Sequence, residues 1–166
     1  TPIVEKILEA GIVQAVTLTG SEKAGSSVAA IAGKNIKKSL LELGGSDALI
    51  VLPDADMQKA AAVAIQSRML NAGQSCIGSK RFIVLKDALN DFLHEVQLQM
   101  KQLTQGDPYK AGITTGPLAR IDLAENIKKQ LQQSVDKGAV LETGGEMNGC
   151  NFTPALLLNV KSGMDA

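Results

Sequence analysis

The chain alternates between short runs of apolar residues and longer stretches in which apolar residues recur at helical spacing. Short continuous apolar runs bounded by turn residues are typical of buried strands. On this basis strands are predicted at Ala15–Thr19, Ile36–Leu43, Ala48–Leu52, Phe82–Leu85, Ala139–Leu141 and Ala155–Val160. The stretches between most of these runs are long enough to form helices.

Five helices are predicted from capping residues and from the spacing of apolar side chains. Capping signals place three of them, from Thr1-Pro2 to Gly11, from Ser21 to about Gly33, and from Asp54 or Asp56 to about Leu70. Amphipathic spacing places the other two at 89–103 and 121–135. Because strands alternate with long helices, the sequence predicts an α/β fold with a mostly parallel sheet and flanking helices.

Composition and charge exclude several classes of function. The 166 residues are 45% hydrophobic, and 17 basic residues balance 17 acidic ones without a long run of either sign. This balance is typical of a soluble globular protein and offers no basic surface to nucleic acid. No apolar run approaches the roughly 18 residues of a membrane span, and no secretory leader is recognised. We expect no nucleic-acid partner, no membrane partner, no metal and a cytoplasmic location.

Cys76 is the first candidate for chemistry because its neighbours are polar and glycine-rich rather than apolar. The segment 71–78 reads Asn-Ala-Gly-Gln-Ser-Cys-Ile-Gly and follows a predicted helix. Glycine lets backbone N–H groups approach a ligand closely, and a thiolate is a strong nucleophile. The alternative is that Cys76 is a small buried core residue, as free cysteines often are.

Glu42 is the second candidate, at the end of a predicted strand in the segment Leu-Leu-Glu-Leu-Gly-Gly, residues 40–45. The apolar run before Glu42 predicts that this strand is buried. Substrates of open α/β sheets bind at the carboxyl ends of the strands, where a carboxylate is placed to take a proton from water. The alternative is an edge-strand charge that points into solvent.

A glycine turn joins the first predicted strand to the second predicted helix. It reads Gly-Ser-Glu-Lys-Ala-Gly from Gly20 to Gly25. Free N–H groups at the start of a helix attract phosphate, and glycine allows a pyrophosphate to come close. The spacing differs from the usual dinucleotide fingerprint, so a capped helix start without a ligand is the alternative.

Together these segments occur in the order found in one family, and they resemble the motifs of the NAD(P)-dependent aldehyde dehydrogenases. The matching segments are Thr17–Ser21, Glu42–Gly45, Asn71–Cys76, 116–118 and 144–145. The resemblance covers essentially the whole chain. Leu18 departs from it by replacing the aromatic residue that is common before Thr-Gly-Ser.

The resemblance implies catalytic roles for Cys76 and Glu42. Cys76 would attack the aldehyde to form a thiohemiacetal and then a thioester, and its backbone N–H would help to hold the oxyanion. Glu42 would activate the water that releases the carboxylic acid. The substrate would be a small-molecule aldehyde.

The resemblance also implies a cofactor site for NAD or NADP, and the sequence leaves the choice between the two open. Gly20 and Ser21 would contact the pyrophosphate region of the cofactor. Gly25 would allow close packing of the helix, and the backbone of Leu43 would lie against the nicotinamide.

Because the family runs to several hundred residues, the resemblance implies that the chain is an internal piece of such an enzyme. Residues 1–44 would form the C-terminal part of the cofactor-binding domain, and residues 45–166 most of the catalytic domain. An oxyanion-hole Asn and a ribose-binding Lys would lie upstream of Thr1, and a Glu-x-Phe-Gly-Pro segment would follow Ala166. The intact parent is expected to be a homo-oligomer and the isolated piece to be inactive.

The segments around Cys76 look most like the bacterial succinate-semialdehyde dehydrogenase branch of that family. One group in this branch has an Arg immediately before the Asn, to bind the distal carboxylate of the substrate, whereas this chain has Leu70. The alternatives are another aldehyde dehydrogenase subfamily, a CoA-acylating or phosphate-reductive relative, and an inert structural fragment. The presence of Glu42 argues against the CoA-acylating relative, which has less need of a base.

Two further residues have side chains capable of chemistry but lie in segments that carry no functional motif. His94 lies off the apolar stripe of its predicted helix, and a solvated position is expected for it. Cys150 lies in a predicted turn and is expected to have no catalytic role.

Overall fold

The structure, a computed structural model, describes residues 2–166, so the predicted helix start at Thr1 lies outside the described residues. The chain divides into two compact units. One unit comprises the residues up to Asp47 together with Ser75–Ile77, and the other comprises Ala48–Gln74 and Gly78–Ala166. The assignment of residues 1–44 and 45–166 to cofactor-binding and catalytic domains remains a prediction.

The first unit is built on one pair of parallel strands. Its elements are α1 (Pro2–Glu9), β1 (Ala15–Thr19), α2 (Glu22–Lys34) and β2 (Lys38–Glu42). β1 and β2 pair in parallel, from Ala15 opposite Lys38 to Thr19 opposite Glu42. Helix α2 connects the two strands and packs on both of them.

Helix α2 is held by apolar contacts on one face, and α1 is held at its C-terminal end by a lysine. Val28 and Ala32 of α2 are buried, as the helical spacing predicts. The ammonium group of Lys37 donates hydrogen bonds to the backbone carbonyls of Leu8, at 2.5 Å, and Ala10, at 2.6 Å. Carbonyls at a helix C-terminus lack partners within the helix, so a lysine there satisfies them and complements the helix dipole.

The second unit contains the remaining elements. Three helices and six strands form it, namely β3 (Asp47–Val51, which begins in the first unit), α3 (Met57–Met69), β4 (Ser79–Val84), α4 (Leu89–Met100), α5 (Ile121–Asp136), β5 (Val140–Thr143), β6 (Met147–Asn148), β7 (Asn151–Phe152) and β8 (Leu156–Leu158). Short 3₁₀ turns occur at Leu70–Gly73 and Lys86–Ala88. β3 pairs with β4, and the antiparallel pairs are β5 with β8 and β6 with β7.

The main core of the second unit lies where α3 packs on α4. Its buried residues are Val51, Ala61, Ala64, Ala88, Phe92 and Val96. Ala61 and Ala64 are fully buried, and their small side chains allow the helices to approach closely. The rings of Phe82 and Phe92 meet edge to face with centroids 5.9 Å apart, a favourable aromatic geometry.

The α/β alternation is confirmed, whereas the arrangement of the sheet differs from the prediction. The strands of residues 2–166 form four separate two-stranded sheets instead of one mostly parallel sheet. β1 and β2 are parallel, but β5 with β8 and β6 with β7 are antiparallel. A periodicity argument identifies strands but not their partners, which depend on contacts between distant residues.

Several element boundaries differ from those predicted. β2 begins at Lys38 rather than Ile36, because Ile36 has a left-handed backbone with φ of 55° and belongs to a turn. The hairpin of β6 and β7 was not predicted, since two-residue strands carry no apolar run. Between the two predicted caps of α3 the structure selects Asp56, whose carboxylate accepts a hydrogen bond from the Lys59 N–H at 3.0 Å.

Two features of the described residues bear on partners. No helix within residues 2–166 is long and apolar enough to cross a membrane. In the same part of the chain, no group of three or more His, Cys, Asp and Glu side chains is placed to hold a metal ion.

The main core makes a stability prediction. Replacing Phe92, which is 3% exposed, by Ala removes an aromatic contact and leaves a cavity, so we expect the free energy of unfolding to fall by about 3–5 kcal/mol. Leu98→Ala, at an exposed position of the same helix, is the matched control and should cost less than about 1 kcal/mol. Urea unfolding of each variant measures the difference. Equal losses for the two variants would show that Phe92 is not a core residue.

Candidate active site

The carboxyl ends of β1 and β2 lie side by side and bring two predicted segments together. In the parallel register Thr19 is opposite Glu42, and the N–H of Gly20 donates to the backbone carbonyl of Glu42 at 2.9 Å. The glycine turn therefore begins beside the residue predicted to be the general base. Ligands of open α/β sheets bind at this edge.

Ser21 holds the first turn of α2. Its side-chain oxygen accepts a hydrogen bond from the Ala24 N–H at 3.2 Å, and its backbone carbonyl accepts from the Gly25 N–H at 2.9 Å. Ser21 thus forms the helix cap that the sequence predicts. The Ser21 hydroxyl keeps its proton as a donor, and the first N–H groups of α2 have no acceptor within the helix.

Gly25 allows α2 to lie against the segment that follows Glu42. A β-carbon at position 25 would come within 2.6 and 2.9 Å of the two methyl groups of Leu43. No side chain fits at this distance without displacing Leu43. The close helix packing predicted for Gly25 is therefore present, and its contact is the Leu43 side chain.

Gly45 makes the corresponding close approach to the backbone of Cys76. A β-carbon at position 45 would lie 2.7 Å from the carbonyl oxygen of Cys76 and 3.8 Å from its carbonyl carbon. Residues 75–77 accordingly belong to the first unit, with β1, α2 and β2. Two residues predicted to act together, Glu42 and Cys76, are thereby placed in one unit, with Gly45 as the link.

Both of these candidate catalytic residues are exposed in this chain. Cys76 carries a free, exposed thiol, so the alternative of a buried core cysteine is excluded. The prediction that Glu42 ends a buried strand is wrong for this chain, since every residue of β2 except Leu41 is exposed. The physical reason is that α2 packs on this two-stranded sheet from one side, which leaves Leu40 of β2 63% exposed.

The second unit contains a strained loop that leads toward Cys76. Asn71, Ala72 and Gly73 all have left-handed backbone conformations, with φ of 53°, 54° and 78°. Such a conformation costs about 1–2 kcal/mol per residue for side chains other than glycine. Strain of this kind persists only where surrounding contacts enforce it, and it is concentrated at functional sites.

Gln74 ties this loop together through its amide. The side-chain N–H of Gln74 donates to the Asn71 carbonyl at 3.1 Å, and its side-chain oxygen accepts from the backbone N–H of Ala119 at 2.9 Å. The backbone N–H of Gln74 also donates to the Asn71 carbonyl, at 3.1 Å. The loop thus closes on itself and is anchored to the segment before α5.

Arg68 of α3 contacts the same loop. One guanidinium nitrogen of Arg68 donates to the Gly73 carbonyl at 2.9 Å. Burial lowers the pKa of Arg68 from its usual value, because the charged form loses hydration. Sequence reasoning missed Arg68, since a single arginine in a helix carries no motif. The loop itself did leave a signal, because Asn71 and Gly73 are residue types that tolerate left-handed backbone.

Two residues were expected to be bystanders. His94 is exposed on α4, as predicted for a solvated helix histidine. Cys150 is half-buried and free, and its backbone carbonyl accepts a hydrogen bond from the Leu118 N–H at 2.8 Å.

The helices and strands define an α/β protein with a glycine turn at its parallel strand ends, and comparison with known proteins gives the family. The sequence model of the aldehyde dehydrogenase family matches residues 1–166. The chain therefore belongs to the aldehyde dehydrogenase family, as its motifs predict.

Similar proteins of known name are about three times as long as this chain. The NADP(+) succinate-semialdehyde dehydrogenase of Mycobacterium avium (strain 104) is 50% identical over 143 residues, which cover 86% of this chain and 30% of that protein. The corresponding Mycobacterium bovis protein (strain BCG / Pasteur 1173P2) is 43% identical over 164 residues, or 97% of this chain and 36% of that protein. The chain thus spans about a third of the length of these relatives.

Solved structures confirm the fold class. The succinic semialdehyde dehydrogenase of Streptococcus pyogenes, in complex with NADP+, superposes with a TM-score of 0.93 at 37% identity, covering 98% of this chain and 36% of that one. Lactaldehyde dehydrogenase from Escherichia coli gives a TM-score of 0.92 at 32% identity, covering 98% of this chain and 35% of that one.

The approach of Gly45 to Cys76 makes a prediction with a control at the adjacent residue. Gly45→Ala forces a methyl group against a backbone carbonyl, which cannot rotate away, so we expect a loss of about 1–3 kcal/mol in the free energy of unfolding. A β-carbon at Gly44 would meet nothing within 4 Å, so Gly44→Ala should cost nothing or stabilise the chain slightly. Chemical denaturation measures both. A Gly45→Ala variant as stable as Gly44→Ala would disprove the close approach.

Proposed function

We propose that this chain supplies the nucleophile and the general base of an NADP-dependent aldehyde dehydrogenase that oxidises succinate semialdehyde. Cys76 is the nucleophile and Glu42 the base. The observation that carries the proposal is the contact of Gly45 with the Cys76 carbonyl, because it keeps Cys76 close to the strand end that carries Glu42. This activity is proposed for a protein as long as the relatives, of which this chain spans about a third.

The chemistry of Cys76 follows from its exposure and its backbone. Its thiolate attacks the aldehyde carbon, and the resulting oxyanion is held in part by the Cys76 N–H. The thiohemiacetal carbon then loses hydride, which leaves a thioester on Cys76. An exposed thiol is accessible to a small aldehyde, whereas a core cysteine is not.

Glu42 completes the cycle by taking a proton from water. The activated water attacks the thioester, the carboxylic acid leaves, and the Cys76 thiolate is regenerated. A position at the end of β2 gives the carboxylate access to water, in accordance with its exposure.

The cofactor, when bound, supplies the acceptor for the hydride. Gly20 and Ser21 offer a turn without bulky side chains and the unpaired N–H groups of the first turn of α2, which fits a pyrophosphate. The space beside Gly25 is filled by the Leu43 side chain and has no room for a ligand. The role of Gly25 is therefore to set the position of the Leu43 backbone. NADP is proposed rather than NAD because the similar mycobacterial proteins are named as NADP(+) enzymes.

The proposed substrate rests on the same relatives and on the chemistry of its carboxylate. A distal carboxylate in a pocket needs a cation or several donors, since an unpaired buried charge is costly. Leu70 supplies neither. The partner of the carboxylate is therefore another Arg or Lys.

The division of labour between Cys76 and Glu42 is testable in a full-length protein that contains this chain. Cys76→Ser should abolish NADPH formation, because a hydroxyl ionises far less readily than a thiol. Glu42→Gln should retain a burst of NADPH and lose steady turnover, because it blocks only hydrolysis of the thioester. Stopped-flow absorbance of NADPH distinguishes the two, with Cys150→Ser as the matched cysteine control of unchanged rate.

Two outcomes would contradict this assignment. Steady turnover by Glu42→Gln equal to that of the unmodified protein across neutral pH would exclude Glu42 as the base. A burst in the Cys76→Ser variant would exclude Cys76 as the nucleophile.

The proposed substrate makes a prediction about selectivity. Succinate semialdehyde should be preferred over butyraldehyde, its analogue without the carboxylate, by a factor of ~10² in kcat/KM, the size expected for a charge-assisted contact of about 3 kcal/mol. Steady-state kinetics with the two aldehydes measure the ratio. Equal values, or a preference for butyraldehyde, would leave an aldehyde dehydrogenase of another subfamily.

A further inference from the structure

A partly buried arginine, Arg68, contacts the left-handed loop before Cys76. Arg68 lies in the last turn of α3 and is only half-exposed. Its guanidinium donates to a backbone carbonyl, and within residues 2–166 no carboxylate forms an ion pair with it. Placing a guanidinium there costs hydration free energy, and an ion pair does not offset it.

The guanidinium of Arg68 lies against Gly73 in two ways. It donates a hydrogen bond to the Gly73 carbonyl at 2.9 Å. A β-carbon at position 73 would lie 3.0 Å from one terminal nitrogen of Arg68, 3.2 Å from the other and 3.2 Å from the central carbon. Similar distances to three atoms of a planar group mean that the flat face of the guanidinium lies over the place a β-carbon would take at Gly73.

This contact acts at the end of the left-handed run, directly after the strained residues Asn71 and Ala72. Gly73 is the third consecutive residue with left-handed backbone, and Gln74 then closes the loop on Asn71. The carbonyl that Arg68 holds is thus the one at which the chain leaves the left-handed run. Two residues after Gln74 the chain reaches Cys76.

We propose that Arg68 is a positioning residue for Cys76. It holds the carbonyl of Gly73 so that residues 71–73 keep their left-handed conformation, and this conformation sets the path of the chain into the nucleophile. Arg68 does not touch the substrate. The inference rests on the proposed role of Cys76 and adds a residue to it.

A lysine does not replace Arg68 on this account. A guanidinium is planar and presents its donors in a fixed fork, whereas an ammonium is a compact and strongly hydrated charge. The flat contact with Gly73 requires the planar group. Free guanidinium ion therefore has the right shape to restore the contact in a variant without the side chain, and ammonium ion does not.

The test uses a full-length protein that contains this chain, with the variants Arg68→Ala, Arg68→Lys and Gly73→Ala. Lys59→Ala, which removes an exposed cation from the same helix, is the control. For Arg68→Ala we expect kcat to fall by about 10²-fold, the effect of an ångström-scale displacement of a reacting group, with KM unchanged. Millimolar guanidinium chloride should restore part of kcat, and ammonium chloride should not.

Several results separate positioning from other roles. A loss equal for succinate semialdehyde and butyraldehyde supports positioning, and a loss confined to succinate semialdehyde would make Arg68 the carboxylate partner instead. An unchanged kcat in Arg68→Ala, or a loss that accompanies a lowered Tm and is not rescued by guanidinium, would overturn the inference.

The alkylation rates of the two cysteines test positioning by Arg68 without relying on the proposed enzyme activity. If the unmodified protein oxidises no aldehyde, the proposed function fails, and iodoacetamide labelling followed by peptide mass spectrometry still measures the loop. Arg68→Ala should change the alkylation rate of Cys76 and leave that of Cys150 unchanged. Equal Cys76 rates in the unmodified protein and Arg68→Ala would exclude positioning by Arg68.

Discussion

The parallel pairing of β1 with β2 is the constraint on which the candidate site depends. Its register puts Thr19 opposite Glu42 and allows the Gly20 N–H to donate to the Glu42 carbonyl. A slip of one residue would turn every side chain of β2 to the other face. The glycine turn, Glu42 and the Gly45 segment that contacts Cys76 meet at one strand edge because this register is kept.

Glycines set how closely the other segments approach that edge. Gly25 admits the Leu43 side chain, and Gly45 admits the Cys76 carbonyl, each at a distance that excludes a β-carbon. Because protein interiors are close-packed, a single added methyl group at such a contact moves the backbone or a neighbouring side chain. In the second unit the guanidinium of Arg68 fills the space over Gly73, at the end of the left-handed run that begins at Asn71.

The family does not by itself determine the substrate. Dehydrogenases of lactaldehyde and of succinic semialdehyde both share this fold with the chain. The proposed Cys–Glu chemistry acts on the aldehyde group alone, whereas selectivity depends on the few polar groups that meet the distal part of the aldehyde. Leu70 shows how one position departs from a related pattern without changing the fold.

Sequence alone determined the family, the order of the main elements and the candidate residues Cys76 and Glu42, because motifs, caps and apolar periodicity are local properties of the chain. Asp56 and Ser21 cap their helices as predicted, since a cap depends on neighbours within three residues. Only the tertiary structure decided which strands pair, that β2 is exposed, and that Arg68 and Gly45 touch the segments around Cys76. Pairing, exposure and close approach depend on residues distant in sequence or on the direction of a side chain, and neither leaves a periodic signal.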